Sequence, residues 1–162
     1  MRRVLFAIAA IVFSFPLLAS EITADSVLAA MNVSRAQNGL EPLHFDSRLI
    51  AAAQDRIRDM EDLGYWAHES PDGRSPFVWL KSRGYEFQFA GENLATGFET
   101  TEVLVEGWME SPGHRANILS GDYSDCGIAI IDGSTTRRAA GKSIVVLFGK
   151  PRAATFVQHA SR

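Results

Sequence analysis

The sequence predicts an α+β fold in which helices cover a small antiparallel sheet. Three observations lead there. Residues 47–63 repeat apolar side chains at helical spacing, and the segment Ser143 to Phe148 is continuously apolar from Ile144 onward. Helical segments also come first and strands last, joined by links of hairpin length rather than by crossover helices.

Taken in order, residues 25–39 read as a helix. Val27, Leu28 and Met31 share a face, Asp25 stands at the start and Asn38-Gly39 at the stop. Leu40 to His44 is a link containing Pro42, with His44 in a local hydrogen bond. The helix from Ser47 to Leu63 is capped by Asp46 and ended by Gly64. Its inner face is Leu49, Ile50, Ala53, Ile57 and Met60, while Gln54, Asp55, Arg58 and Glu61 point outward.

Proline and glycine make 64–74 a loop, and Ser75-Pro76 opens a short helix through Phe77, Trp79 and Leu80 that stops near Gly84. Tyr85 to Ala90 alternates as an irregular strand, followed by a glycine-bracketed segment from Gly91 to Gly97. Thr100 or Thr101 starts a helix with Val103, Leu104 and Trp108 inward. A new helix begins at Ser111-Pro112, with serine as N-cap and proline at the first helical position. Cys126 to Ile131 and Ser143 to Phe148 are strands. The polar loop between them, with Arg137-Arg138, is a hairpin connection, and the second strand is buried on both faces. Lys150-Pro151 ends it; residues 153–162 are a loosely ordered tail in which His159 has no role.

Met1-Arg2-Arg3 followed by the apolar run from Val4 to Ala19 has the layout of a secretory signal peptide. Cleavage falls near Ala19 or Ser20, which assigns 1–20 to the leader and 21–152 to one domain, secreted or periplasmic and monomeric. Losing Arg2 and Arg3 takes the formal charge from −3 to −5. So acidic a chain excludes non-specific binding to nucleic acid or to an anionic membrane, and no membrane span remains after the leader is removed. Cys126 is the single cysteine, so no internal disulfide forms, and the thiol is expected as a small buried apolar group.

His114 lies in the first turn of the helix opened by Ser111. Unpaired amides and the positive end of the dipole favour neutral imidazole there. Gly113 leaves room beside it for a backbone or a ligand.

Four motifs occur in order: Asn32-x-x-Arg35, Trp66-Ala67-His68, Gly91-Glu92-Asn93-Leu94-Ala95, and Trp108-Met109-x-Ser111-Pro112-Gly113-His114-Arg115-x-Asn117-Ile118-Leu119. Together they resemble the CAP superfamily of cysteine-rich secretory, antigen five and plant pathogenesis-related proteins, in its short bacterial SCP-like branch. The resemblance covers residues 28–149. It implies a three-layer α-β-α sandwich around a small antiparallel sheet of about three strands. It also implies a cleft lined by two histidines and two glutamates. By motif, His68 and His114 are the histidines and Glu92 the first glutamate, while Ser111 stands where the second glutamate would be. The family's cysteine pairing cannot form around Cys126.

Two neutral imidazoles facing one opening suit Zn²⁺, with Glu92 either as a third ligand or as an acceptor on an imidazole N–H. A hydrogen-bonded His–Glu–His network that fixes the loops is the structural alternative. Ser111 and Asn93 complete the expected cleft. Three functions stay open: a module binding lipid, sterol, peptide or cell-wall fragment; a hydrolase using His114 or His68 on water or Ser111; and an interaction scaffold. Against the hydrolase, N-capping should occupy the Ser111 hydroxyl, and no nucleophile-elbow motif is present. Trp66, Trp79, Trp108, Phe77 and Phe148 read as core, and Asn32 and Arg35 as bridges from the first helix to a neighbouring loop.

Overall fold

The computed structural model describes residues 20–133 and 141–153. Residues 1–19 of the expected leader 1–20, Arg137-Arg138 and the residues beyond Ala153 with His159 lie outside them.

The elements are α1 (Ala24–Gln37), β1 (His44–Phe45), α2 (Ser47–Leu63), α3 (Val78–Ser82), β2 (Phe87–Phe98), α4 (Thr101–Glu110), α5 (Pro112–Ile118), β3 (Asp125–Asp132) and β4 (Lys142–Pro151). The sheet runs in the order β1-β3-β4-β2. β4 pairs antiparallel with both β3 and β2. The alternation of side chains along β4 divides the core. Ile144, Val146 and Phe148 pack with α1, α4 and α5 on one face. Val145 and Leu147 pack with α2 and α3 on the other. Helices on both faces of the sheet make the α-β-α sandwich.

The α2 boundaries agree with the sequence because both ends carry strong signals. Asp46 accepts from the Arg48 amide, and Gly64 takes the left-handed conformation at φ 68° that an L side chain disfavours. α1 is capped by Thr23 rather than Asp25, through a reciprocal pair with Ser26. Val103 is 55% exposed, so the inner face of α4 is carried by Leu104, Val105 and Trp108.

Two corrections concern strands. The expected link at His44 is a two-residue strand, parallel to β3, and its bond is a long-range one from the His44 amide to the Ser124 carbonyl at 3.0 Å. The sheet therefore has three long antiparallel strands and one short parallel one. The glycine-bracketed segment after Ala90 is not a separate link but the middle of the 12-residue β2. Gly91 obscured this. A Cβ there would meet the Tyr123 hydroxyl at 2.6 Å, so the glycine marks close packing rather than a turn.

Arg35 and Asn32 bridge as expected. The buried Arg35 guanidinium donates to the carbonyls of Glu41, Ile118, Ser120 and Tyr123, and Asn32 exchanges two bonds with the Leu43 backbone. Cys126 is buried, and burial pushes its thiol up to about 12.

Candidate functional site

β2 is the outermost strand, and consecutive residues on it face opposite layers. Glu92 points to the α2 side and Asn93 to the α5 side. The loop after α2 and the start of α5 thus meet around the strand where the Gly91-Glu92-Asn93 motif lies.

The Glu92 carboxylate is fully engaged. One oxygen accepts from His68 Nδ1 at 2.7 Å and the other from Arg56 Nε at 3.0 Å. An ionised carboxylate only accepts, so beside it Nδ1 carries the proton and Nε2 is the ring's remaining acceptor. Arg56 is the functional residue that sequence reasoning missed. Its side chain is 0% exposed. Besides Glu92 it donates to the Ala67 carbonyl at 2.6 Å, to the His68 carbonyl at 3.0 Å and to the Tyr65 hydroxyl, and it lies over the Trp79 ring at 4.7 Å. Spacing could have revealed it. Arg56 follows Leu49, Ala52 and Ala53 and precedes Met60 at helical intervals, so its own helix turns it inward, where a charge needs a partner.

His68 exposes 61% of its side chain, with its Nδ1 anchored to Glu92 beneath it. The hydrogen bond to Glu92 raises its pKa above the ordinary imidazole value, against a smaller opposing effect of burial. A cavity of about 300 Å³ opens beside it, lined by His68, Glu69, Gly73, Ser75 and Pro76. His114 is half-buried, 6.4 Å from the Trp108 ring, and its pKa is lowered, first by burial and then by the charge of His68. Its neutrality agrees with the expectation, but desolvation is the main cause.

Asn93 is fully buried. Its amide donates to the His114 carbonyl at 3.1 Å and its oxygen accepts from Asn117 at 2.8 Å, so it spends its polar groups on holding α5. Ser111 ends α4 and begins α5 without a side-chain capping bond, contrary to the expectation that the cap would occupy its hydroxyl. Gly113 faces open space, with nothing within 4 Å of an added Cβ.

The metal reading meets a plain geometric test. Among the described residues, no three His, Cys, Asp or Glu side chains are grouped so as to hold an ion. Glu92 accepts from the His68 N–H with one oxygen and from Arg56 with the other. The donor set does not fit a dedicated zinc site.

A second, larger feature lies at the opposite edge of the sheet. A groove of about 680 Å³ straddles β3 residues Ile128 to Ile131, with Ile22, Thr23 and Ala24 on one wall and Gln54, Ile57 and Arg58 on the other. β1 covers this edge only briefly. Its flanking amides, His44 and Asp46, donate to the Ser124 and Cys126 carbonyls, which fixes the even-numbered residues of β3 as those facing outward. At Gly127 the first turns of α2 close in, since a Cβ there would lie 2.0 Å from the Leu49 carbonyl carbon. Beyond it, Ile128 and Ile130 turn their backbone N–H and C=O groups into the groove. Among the described residues no strand pairs with them.

Helices on both faces of a β1-β3-β4-β2 sheet, with a His–Glu pair held at the β2 edge, define an α-β-α sandwich of the secreted CAP type. The model of the cysteine-rich secretory protein (CAP) family matches residues 28–148, and the chain belongs to that family. It is 38% identical over 118 residues to YkwD, an uncharacterized protein of Bacillus subtilis, covering 72% of this chain and 46% of that one. It is 34% identical over 104 residues to YlbC, an uncharacterized membrane protein of the same species, covering 64% of this chain and 30% of that one. The chain thus spans less than half the length of these relatives. Among solved structures it is similar to an extracellular SCP-domain protein of Bacillus anthracis, with TM-score 0.66, 25% identity, and 78% of this chain and 39% of that one covered. An outer surface protein of Borrelia burgdorferi shares the fold, with TM-score 0.69, 21% identity, and 83% and 100% coverage. No helix among the described residues is long and apolar enough to cross a membrane.

Proposed function

We propose that the chain is a secreted binding module whose ligand is an extended peptide lying along the outer edge of β3. The observation that carries this reading is the groove over Ile128 to Ile131, whose volume of about 680 Å³ is in the range of small-ligand sites. Its walls combine the apolar Ile22, Ile57, Ile128 and Ile130 with the polar Thr23, Gln54, Arg58 and Lys142, while among the described residues the outward backbone groups of Ile128 and Ile130 have no strand partner. An acyl chain or sterol would bury those groups without partners, whereas a peptide strand pairs with them and seats alternate side chains on either wall. Export is supported by the leader-like residues 1–19 and by the extracellular and surface relatives.

The test is panning of a random linear octapeptide library against the mature protein, followed by binding to an Ile130→Pro variant. Proline removes one outward N–H and leaves the bonds to β4 in place. Selected peptides should lose at least tenfold in affinity on that variant and on N-methylation of their own backbone. Peptides bound equally by both proteins, or an empty selection beside tight oleate binding, would overturn the reading.

A second reading, metal-free hydrolysis, is favoured by one observation. The His68 imidazole is oriented by a buried carboxylate and lines a cavity that Ser75 also lines. A general base so oriented would activate water or a hydroxyl. Loss of a measured esterase or peptidase rate in His68→Ala, with unchanged peptide binding at β3, would favour it.

A further inference from the structure

We propose that export processing hydrolyses the Ala19–Ser20 bond and that the ammonium so created on Ser20 is captured by Glu102 at the start of α4. Water supplies its oxygen to the departing Ala19 carboxylate and both of its protons to the nitrogen, which becomes the ammonium. An exporting cell's leader peptidase is the class of catalyst required.

The geometry is already that of an ion pair. Ser20 N lies 3.1 Å from one Glu102 carboxylate oxygen and 3.3 Å from the other, and the Ser20 hydroxyl donates to the same carboxylate. An amide carries one hydrogen and serves one such oxygen well, whereas an ammonium carries three and serves both. Among the described residues no lysine or arginine pairs with Glu102, so the carboxylate is otherwise without a cation. The next atoms of the chain are fastened too. Thr101 N–H donates to the Ser20 carbonyl at 3.1 Å, and the Glu21 carbonyl accepts from the Thr101 and Ser26 hydroxyls.

This selects one bond from the two that the leader allows. A cut after Ser20 would discard the residue that makes these contacts, and a cut further upstream would leave an amide in place of the ammonium. The helix N-terminus repels a cation, so the ammonium is tolerable there only through Glu102. The fixed segment runs directly into Ile22, Thr23 and Ala24, one wall of the β3 groove.

The experiment has two arms. The full chain is exported from a bacterial host, and the processed protein is read by N-terminal sequencing and intact mass; Ser20 should be the first residue. Thermal unfolding is then compared for chains beginning at Ser20 and at Ala19, each with Glu102 and with Glu102→Gln. With Glu102, the Ser20 form should melt about 2–4 °C higher. In Glu102→Gln the Ser20 form should lose this advantage or melt lower, because its ammonium then faces the helix N-terminus alone. A mature terminus at another residue, an absent difference with Glu102, or an advantage of the Ser20 form that survives Glu102→Gln would overturn the proposal.

Discussion

The corner around Glu92 and the edge beside Ile130 place polar groups among apolar neighbours and treat them in opposite ways. At the corner the buried polar groups have partners: both Glu92 oxygens, the Arg56 guanidinium and the Asn93 amide are bound to other parts of the chain. At the edge, two isoleucines offer backbone groups that no strand among the described residues takes. A filled network holds loops in place; an unfilled edge leaves binding capacity for something outside the chain. The conspicuous motif residues thus sit in the part of the molecule that is already satisfied, and the plain apolar ones in the part that is not.

The strongest way to break this contrast is to empty one side of the corner. Glu92→Ala leaves Arg56 buried without its anion and should cost about 3–5 kcal/mol in urea unfolding. The double variant Arg56→Met/Glu92→Leu should recover most of that loss, because the uncompensated charge goes with its partner. A small effect of Glu92→Ala alone would mean that water already reaches the pair.

The edge is tested by a pair of prolines one residue apart. Ile131→Pro removes an N–H that bonds to β4 and should destabilise by about 1–3 kcal/mol. Ile130→Pro removes one that faces the groove and should cost under about 1 kcal/mol. Equal losses would show that the outward side is not free.

The two histidines sharpen the contrast through pH. His68 has a raised folded-state pKa, so its contribution is complete below the unfolded value of about 6.5 and fades as pH climbs through the folded one. His114 has a lowered pKa, so its contribution is complete above about 6.5 and fades as pH falls toward the folded value. His68→Ala should remove the falling limb of a plot of urea midpoint against pH, and His114→Ala the rising one. Exposure of His68 keeps its limb shallow. In NMR titration the His68 ring should change at higher pH than the His114 ring.

The smallest effect expected is from metal. Calorimetric titration of Zn²⁺ should give no saturable one-to-one binding at micromolar protein, because only two imidazoles are available as donors. Saturable binding that vanishes in His68→Ala/His114→Ala would return the corner to the list of ligand sites.

Much of the fold was legible because its signals are local. Asp46, Gly64 and the period of α2 sit within one stretch of chain, and the burial of β4 shows in five consecutive apolar residues, Ile144 to Phe148. β1 was not legible, since two residues become a strand only by meeting Ser124 and Cys126 far along the chain. The same holds for the site. His68, Glu92 and His114 could be named from motifs, but Arg56 decides what Glu92 does, and their meeting spans 36 residues. The β3 groove left no motif at all. It arises from where α2 closes on Gly127, and only the assembled sheet displays it.

Arg35 carries a consequence beyond positioning. Its guanidinium gathers four carbonyls from two segments, the link after α1 and the stretch from the end of α5 to Tyr123, a fastening made without covalent chemistry. Cys126, in a family named for its cysteines, is sealed in the core with its thiol held protonated. Folding therefore waits on no oxidant, and melting temperatures with and without dithiothreitol should coincide. The molecule can complete its fold in a reducing compartment or an oxidising one, and its working lifetime is set by packing rather than by redox conditions.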